Sequence, residues 1–157
     1  MNPTCLQDQS IKTPLFSLKG QVYVAKCVKC YDADTVHVVI ELTKGTYSRF
    51  CCRLSGIDTA EIRTKNPAEK KHACAARDYL KGMVMNKLVL VQCGDFDKYG
   101  RLLITLYYYE GQDPSSFEAE WEDSLNSALV EKCYAYRYNG GKKKCFQDWF
   151  TDHACTI

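Results

Sequence analysis

Long apolar runs and an export signal are both missing from this sequence of 157 residues. The opening residues MNPTCLQDQSIKTP contain no apolar stretch of the kind that a secretory signal peptide needs. No run reaches the roughly 20 apolar residues of a transmembrane helix. We therefore expect a protein that neither enters nor crosses a membrane, and a length that suits one domain with its own core.

Net charge and histidine are also scarce, and both shortages limit the possible functions. A formal charge of +2 is too small to indicate nucleic-acid binding by itself, so such a partner must be argued from local charge placement. None of the three histidines has a plausible nucleophilic partner, so the sequence does not support Ser/His or Cys/His catalysis. From the local patterns we expect His37 to be exposed on its strand and His72 to be solvated on a lysine-rich helix.

Cysteine, in contrast, is abundant, with ten copies. Without an export signal, we predict free thiols in a reducing, intracellular compartment rather than a disulfide framework. Cys27 and Cys30 have the spacing of zinc ligands, and Cys145, His153 and Cys155 could complete such a site. Positions 27 and 30 have opposite parity on a strand, however, so we expect their side chains to diverge and favour thiols without zinc.

Alternation of apolar and polar residues predicts five strands, and helical spacing predicts two longer helices. The predicted strands are 21–31, 35–42, 47–55, 87–93 and 101–109, and the predicted helices are 66–84 and 117–132. In the third strand the alternation points Arg53 away from the core. Asn66 is the predicted N-cap of the first helix, with Glu69 returning a bond in a capping box.

The order of these elements predicts a mainly β protein with helices, in the α+β class. Three strands, a helix, two strands and a helix suggest a five-stranded OB-fold Greek-key barrel with about three helices. A short amphipathic tail follows around Trp149. Residues 1–20 lack a sustained period and are predicted to be a flexible N-terminal arm. Residues 21–157 are predicted to form a single domain.

Charged residues gather in three short motifs. They are DADT (32–35), RLSGIDTAE (53–61) and DKYGR (97–101). Together they supply carboxylates at Asp34, Asp58 and Glu61, and guanidinium groups at Arg53 and Arg101. Carboxylates suit a hard cation such as Ca²⁺, arginine forks bind phosphate oxygens in pairs, and a carboxylate off the metal can deprotonate water. This set of groups suits phosphodiester hydrolysis.

In order and separation, the three motifs resemble those of the staphylococcal nuclease (thermonuclease-like) family, over roughly residues 21–138. The resemblance implies a five-stranded OB barrel with three helices. It also implies a Ca²⁺-dependent nuclease that cleaves single-stranded or frayed DNA, and RNA, with little sequence specificity. Such enzymes break the bond to the 5′ oxygen and leave 3′-phosphate ends.

The resemblance also assigns roles to individual residues. It implies that Asp34 and Asp58 supply carboxylates to one Ca²⁺, with the backbone carbonyl of Thr59 as a further ligand. Glu61 is then the general base or the residue that positions water. Arg53 and Arg101 bind the scissile phosphate and stabilise its transition state.

Substrate binding beyond these six residues is implied for Lys98 and Tyr99, where the family contacts a terminal phosphate, and for Tyr138. Tyr136 and Tyr138 lie near the family's stacking tyrosines, about one residue out of register. The chain departs from the family at Ala33, where glycine is usual, and at Ala60, where proline is usual; the second change predicts a looser hold on Glu61. Residues 110–121 are longer than the family's turn and either cover the cleft edge or are inert.

Simpler interpretations exist for each of these residues. Singly, the three carboxylates could be turn or cap residues, the two arginines could form surface ion pairs, and the run Lys142–Lys144 is interpreted as a solvated turn. A catalytically inactive nucleic-acid-binding OB module and a protein-interaction domain are the alternative functions. The presence of all six motif residues favours the nuclease, which we expect to act as a monomer without a membrane partner.

Overall fold

The strands that the alternating pattern predicts close into a barrel in the computed structural model, which describes residues 3–152. The barrel strands are β1 (Val22–Cys30), β2 (Thr35–Thr43), β3 (Thr46–Leu54), β5 (Leu88–Phe96) and β6 (Leu102–Tyr108). Their spatial order is β1-β2-β3-β6-β5, with β3 and β6 parallel and the other pairs antiparallel. The predicted OB-fold barrel is therefore confirmed.

The remaining described helices and strands lie outside the ring of barrel strands. They are helices α1 (Pro3–Gln7), α2 (Pro67–Val84), α3 (Leu125–Glu131) and α4 (Phe146–Asp152), with strands β4 (Ile57–Thr59) and β7 (Ala135–Arg137). Strands β4 and β7 pair antiparallel as a separate two-stranded sheet. Neither is predicted by the sequence, because three residues are too few to show a period. None of the helices in residues 3–152 has the length and apolarity to cross a bilayer.

The barrel core follows the predicted parity. Val36, Val38 and Ile40 of β2 are fully buried, and so are Cys52 and Leu54 of β3. The intervening residues of both strands point outwards, because successive side chains of a strand alternate between faces. Because one face of each strand is buried, the outward residues of β3 lie on the surface of the barrel.

The second predicted helix is much shorter than expected. Helix α3 begins only at Leu125, after Ser124 caps it by accepting a 3.0 Å hydrogen bond from the amide of Ser127. Upstream, the chain makes two short 3₁₀ turns, Pro114–Ser116 and Trp121–Asp123. A serine hydroxyl at an N-cap satisfies an otherwise unpaired amide, so the helix starts there.

A second apolar cluster lies outside the barrel, under helix α4. Trp149 and Phe146 of α4 pack with Tyr136, Ala73 and Ala60 in this C-terminal cluster. It forms because α4 is amphipathic and lays its apolar side on α2 and β7. The predicted amphipathic tail is therefore part of the fold.

The expectation of a solvated His72 is wrong. His72 is buried, and the rings of Tyr134, Phe146, Trp149 and Phe150 lie 5.1–5.7 Å from its own. Burial lowers the pKa of His72, with a partly opposing hydrogen bond to the backbone of Cys133. The sequence shows only the lysines around His72, not the aromatic helix that covers it. His37, expected to be exposed, is half-buried.

One expectation about cysteine fails, and the other, free thiols rather than a disulfide framework, holds for eight of the described cysteines. Cys27 and Cys30 do not diverge, because a β-bulge between Cys27 and Lys29 shifts the register and brings the two sulfur atoms to 3.9 Å. Cys133 is disulfide-bonded, although eight other cysteines of the described region are free thiols. His153 and Cys155, named above as possible zinc ligands, lie outside the described residues.

The N-terminal segment contains more order than its sequence indicates. Helix α1 occupies Pro3–Gln7, and Leu18 is buried in the barrel core. Between them, Ile11 and Leu15 are exposed. The flexibility of residues 1–20 stays a prediction.

Candidate active site

Arg53 stands at the centre of the candidate site, near the end of β3. Its Nη2 donates to Asp58 Oδ1 at 2.9 Å and lies 3.4 Å from Asp34 Oδ2, while Nη1 donates to the carbonyl of Ile57 at 3.1 Å. Asp34 is in reach because Thr35 at the start of β2 is the cross-strand partner of Arg53. One guanidinium thus brings together the carboxylates of two distant motifs.

Asp58 is buried and fully engaged. Its Oδ1 also lies 3.1 Å from Nζ of Lys143, and its Oδ2 accepts a 2.8 Å hydrogen bond from the hydroxyl of Tyr136. Tyr136 is in place because it pairs with Asp58 across the β4–β7 ladder. Burial raises the pKa of Tyr136, and its bond to the Asp58 carboxylate adds to this. Tyr136 is therefore a buried partner of Asp58 and does not offer a stacking face.

Asp34 lies close to a second carboxylate. Its amide donates to Asp32 Oδ1 at 3.1 Å, and its Oδ1 accepts a 3.0 Å bond from the Thr35 hydroxyl. Burial, followed by repulsion from Asp32, raises the pKa of Asp34 to about 6, although Arg53 acts in the opposite direction. Burial and Asp32 together thus outweigh the effect of Arg53 on this carboxyl.

Five of the six motif residues line one cavity of about 210 Å³. They are Asp34, Arg53, Thr59, Glu61 and Arg101. Asp58, the sixth, lies directly beside Arg53. Three motifs that are far apart in the chain thus meet at one place.

Glu61 is held in place by helix α2. Its amide donates to Glu69 Oε1 at 3.2 Å, and Glu69 Oε2 accepts from the Thr64 hydroxyl at 2.7 Å. Asn66 caps α2 as predicted, but Glu69 bonds to this loop instead of completing the capping box. Next to Glu61, Ala60 packs in the C-terminal cluster. These contacts restrain the loop that the missing proline was expected to loosen.

Arg101 is oriented by the turn of its own motif. Asp97 accepts from the amides of Tyr99 and Arg101, both at 2.9 Å, and from Arg101 Nε at 2.8 Å. Burial tends to raise the pKa of Asp97, but these amides and the guanidinium outweigh it and hold that pKa below its ordinary value. Gly100 takes a φ of +79°, which closes the turn without strain. The terminal nitrogens of Arg101 find no hydrogen-bond acceptor within the described residues.

A second, larger cavity of about 600 Å³ adjoins the first. Lys98, Tyr99 and Tyr138, the predicted substrate-binding residues, all line it. The Arg53 guanidinium lies 6.0 Å from the Tyr138 ring, and that of Arg101 lies 5.4 Å from the Tyr99 ring. Tyr99 is 72% exposed, and the Lys98 ammonium also lies 5.1 Å from its ring.

The candidate metal ligands are oxygen atoms, the type that hard divalent cations prefer. Asp34 and Asp58 share one guanidinium nitrogen, and Thr59 lies on the wall of the same cavity. Carboxylate and carbonyl oxygens are the ligands that Ca²⁺ prefers, with water completing its shell. Within residues 3–152 no group of three or more His, Cys, Asp or Glu side chains could hold a metal ion. An ion here would thus depend on two carboxylates, a carbonyl and water, and the described Cys27–Cys30 pair lacks further zinc ligands.

Lys143 is the residue that the sequence interpretation missed. The run Lys142–Lys144 is not simply a solvated turn, because Lys143 contacts Asp58 and lines both cavities. Nearby, the Lys144 amide donates to the Tyr136 hydroxyl and the Tyr138 hydroxyl donates to the Gly141 carbonyl. These long-range contacts leave no periodic signal in the sequence.

The segment 110–121 packs on the outside of the barrel. Phe117 lies edge-on against Tyr107 at 5.1 Å, and Trp121 stacks under the Arg137 guanidinium at 3.6 Å. Neither described cavity has a wall residue from this segment.

A known protein family is similar to the chain over much of its length. The sequence profile described as "Staphylococcal nuclease homologue" matches residues 51–150, which is more than half of the chain. No curated protein matches the sequence significantly. The matched region contains two of the three motifs together with β4, β7 and most of α4. The chain therefore belongs to the staphylococcal nuclease homologue family.

Proposed function

We propose that the protein is a Ca²⁺-dependent nuclease that hydrolyses phosphodiester bonds of DNA, RNA or both, with little sequence specificity, and leaves 3′-phosphate ends. The observation that carries this proposal is the convergence of Asp34, Glu61, Arg53 and Arg101 on one cavity. A nuclease needs a base, a phosphate clamp and a site for a divalent ion, and this cavity has candidates for all three.

The catalytic roles follow from the chemistry of each side chain. Arg53 and Arg101 bind the equatorial oxygens of the scissile phosphate, and their fixed forks hold it in line for attack. Glu61 accepts a proton from the attacking water. Asp34, Asp58 and the Thr59 carbonyl are the candidate ligands of Ca²⁺, which when bound neutralises charge that develops on the phosphate.

The substrate is single-stranded or frayed DNA, or RNA. Lys98, Tyr99 and Tyr138 in the adjoining cavity bind the neighbouring nucleotide. Stacking on tyrosine tolerates every base, which accounts for low sequence specificity. We further propose a monomer in a reducing, intracellular compartment; eight free thiols support that location, and the disulfide-bonded Cys133 counts against it.

One observation favours the alternative, a catalytically inactive nucleic-acid-binding OB module. Both oxygens of Asp58 already have partners in Arg53, Lys143 and Tyr136. A divalent ion must compete with these groups for the same carboxylate. The nuclease remains the better-supported proposal, because the phosphate clamp and the candidate base are both present.

A cleavage assay tests the proposal. End-labelled single-stranded oligonucleotides, DNA and RNA, are incubated with the protein in Ca²⁺ and in chelator. We expect chelator-sensitive cleavage, with 3′ ends that a polymerase extends only after phosphatase treatment. Arg101→Ala and Glu61→Gln should each lower the rate by roughly 10²–10⁴-fold. Glu61→Gln should leave Ca²⁺ affinity, measured by calorimetry, unchanged.

Arg49→Ala is the matched control, since Arg49 is an outward residue of the same strand as Arg53 and lines neither cavity. It should retain the wild-type rate. Arg53→Ala should also lose activity. It removes the guanidinium that pairs with two buried carboxylates, however, and is therefore expected to lower the free energy of unfolding as well. Arg101→Ala is for this reason the cleaner test of catalysis. Folded wild-type protein that binds oligonucleotides without cleaving them would reject the nuclease in favour of the binding module.

A further inference from the structure

The two cavities of the site meet at a small group of cationic side chains. Arg53, Arg101 and Lys143 are the wall residues that the two cavities have in common. A nucleic-acid strand that passes from one cavity into the other carries its backbone across this junction. The junction therefore presents three positive charges to the phosphate, and only two of them belong to the recognised motifs.

The Lys143 ammonium is held at this junction by a buried carboxylate. Its Nζ lies 3.1 Å from Asp58 Oδ1, and the Asp58 side chain is only 5% exposed. The Lys143 side chain itself is 51% exposed, so its ammonium contacts Asp58 on one side and is accessible to solvent on the other. An ammonium group has three donors and can bind a second anion while it keeps the first.

The turn before Lys143 fixes its direction. Gly140 and Gly141 have φ angles of +98° and +89°, a backbone conformation that residues other than glycine rarely adopt. The Gly141 carbonyl accepts from the Tyr138 hydroxyl at 2.8 Å, and the Lys144 amide donates to the Tyr136 hydroxyl at 3.0 Å. Two backbone contacts to tyrosines, one on each side of Lys143 in the chain, thus hold the backbone of this turn beside the site, where the ammonium of Lys143 reaches Asp58.

From this arrangement we infer that Lys143 is a third phosphate-binding residue, which contacts the nucleic-acid backbone between the two cavities. The inference rests on the proposed function for the identity of the polymer, but not on cleavage. Asp58 acts as the positioning group for this lysine as well as for Arg53. Because the contact is to phosphate, it strengthens binding of every sequence equally.

Oligonucleotide binding in chelator tests the inference without any cleavage. Fluorescence anisotropy of a labelled single-stranded DNA is followed at several salt concentrations for wild type, Lys143→Gln and Lys143→Arg. We expect Lys143→Gln to raise Kd about threefold to tenfold and to reduce the salt slope by about 0.7, the change for one lost phosphate contact. Lys143→Arg, which keeps the charge, should restore most of the affinity and the slope.

Lys142→Gln is the matched control, because Lys142 is the exposed neighbour in the same turn and lines neither cavity. Its Kd should stay within about twofold of wild type, since an exposed charge that lines neither cavity is screened by salt. Circular dichroism melts confirm that each variant is folded. Lys143→Glu is a second variant that should weaken binding further by reversing the charge.

The outcomes separate this inference from the proposed function. Equal Kd and salt slope for wild type and Lys143→Gln would overturn the inference, even if the protein cleaves in Ca²⁺. Weakened binding by Lys143→Gln supports it, even if the wild type proves inactive. A wild-type protein that binds no oligonucleotide in chelator overturns the inference, whereas only the absence of cleavage in Ca²⁺ overturns the nuclease.

Discussion

Asp34 is a residue of the candidate site whose ionised side chain makes the fold less stable. It is 7% exposed, and Asp32 adds negative charge beside it. Burial first, and Asp32 second, raise the pKa of Asp34 to about 6. A carboxyl with a folded pKa above its unfolded value of about 3.9 stabilises the fold fully at low pH and loses that contribution as pH rises to 6. At neutral pH its charge therefore lowers the free energy of unfolding.

Replacing Asp34 by asparagine should accordingly stabilise the metal-free protein. At pH 7 in chelator, we expect the free energy of unfolding of Asp34→Asn to increase on the order of 2 kcal/mol, measured by urea denaturation. At pH 4, where the wild-type carboxyl is already protonated, the difference should disappear. A less stable variant at pH 7 would mean that the ion pair with Arg53 outweighs burial and Asp32. Asp78→Asn, at an exposed position of α2, serves as the control.

Whether a site residue could be predicted from the sequence depends on whether local alternation or tertiary contacts determine its position. Arg53 and Asp34 were predictable because both lie on strands or turns whose alternation is regular. Lys143 was not, because its position depends on a glycine turn and on contacts with Asp58, far away in sequence. The prediction that the side chains of Cys27 and Cys30 diverge was wrong, because a bulge adds one residue to β1. Local periodicity carries no information about either event.

At the scale of elements, the same distinction separates the predicted from the unpredicted parts. Four of the five barrel strands have nine residues, and the fifth has seven, which is enough for alternation to appear. Strands β4 and β7 have three residues each, and their pairing is set by tertiary contacts. These two short strands nevertheless position Asp58 and its partner Tyr136. The elements most important to the site are thus the ones that periodicity reveals least.

Helix α2 affects the candidate base through one side chain, Glu69. Replacing Glu69 by alanine removes the acceptor of the Glu61 amide and of the Thr64 hydroxyl. We expect Glu69→Ala to lower kcat of nucleic-acid cleavage by about tenfold, the effect of a loosened catalytic group, while Kd for oligonucleotides in chelator stays the same.

The control for this experiment is Asp78→Ala, an exposed acidic residue on the same helix that pairs with its neighbour Arg77. It should leave both quantities unchanged. Equal loss of kcat in the two variants would show that Glu69 acts only through the general charge or stability of α2. A rise in Kd with unchanged kcat would place Glu69 in substrate binding instead.

At the scale of the whole molecule, the candidate site lies between two apolar cores. The barrel core supports Asp34 and Arg53 from β2 and β3, and the C-terminal cluster supports the loop of Ala60 and the ring of Tyr136. Helix α4 contributes Trp149, which is 2% exposed and lies 5.2 Å from the Tyr136 ring. Stability of the site therefore depends on a helix that supplies no side chain to either described cavity.

Removing this indole should weaken both the fold and the site. We expect Trp149→Ala to lower the free energy of unfolding by about 3–5 kcal/mol, the usual cost of a buried tryptophan, as measured by urea denaturation. Leu88→Ala is the control, because Leu88 is a large apolar residue at a 53% exposed position of β5. An unchanged transition for Trp149→Ala would mean that α4 is not held against α2 and β7 in solution.

The three-residue ladder between β4 and β7 has a consequence for how the protein loses function on heating. The barrel strands are long and form a closed ring of hydrogen bonds, whereas the ladder that carries Asp58 is short and stands apart from that ring. Ile57 and Ala135 anchor this ladder in the barrel core, but only three residue pairs form it, and an element held by few hydrogen bonds can open at lower free energy than the rest of a structure. Inactivation should then occur at a lower temperature than barrel melting, and it should reverse on cooling, because the intact barrel remains as a template for the ladder to close again.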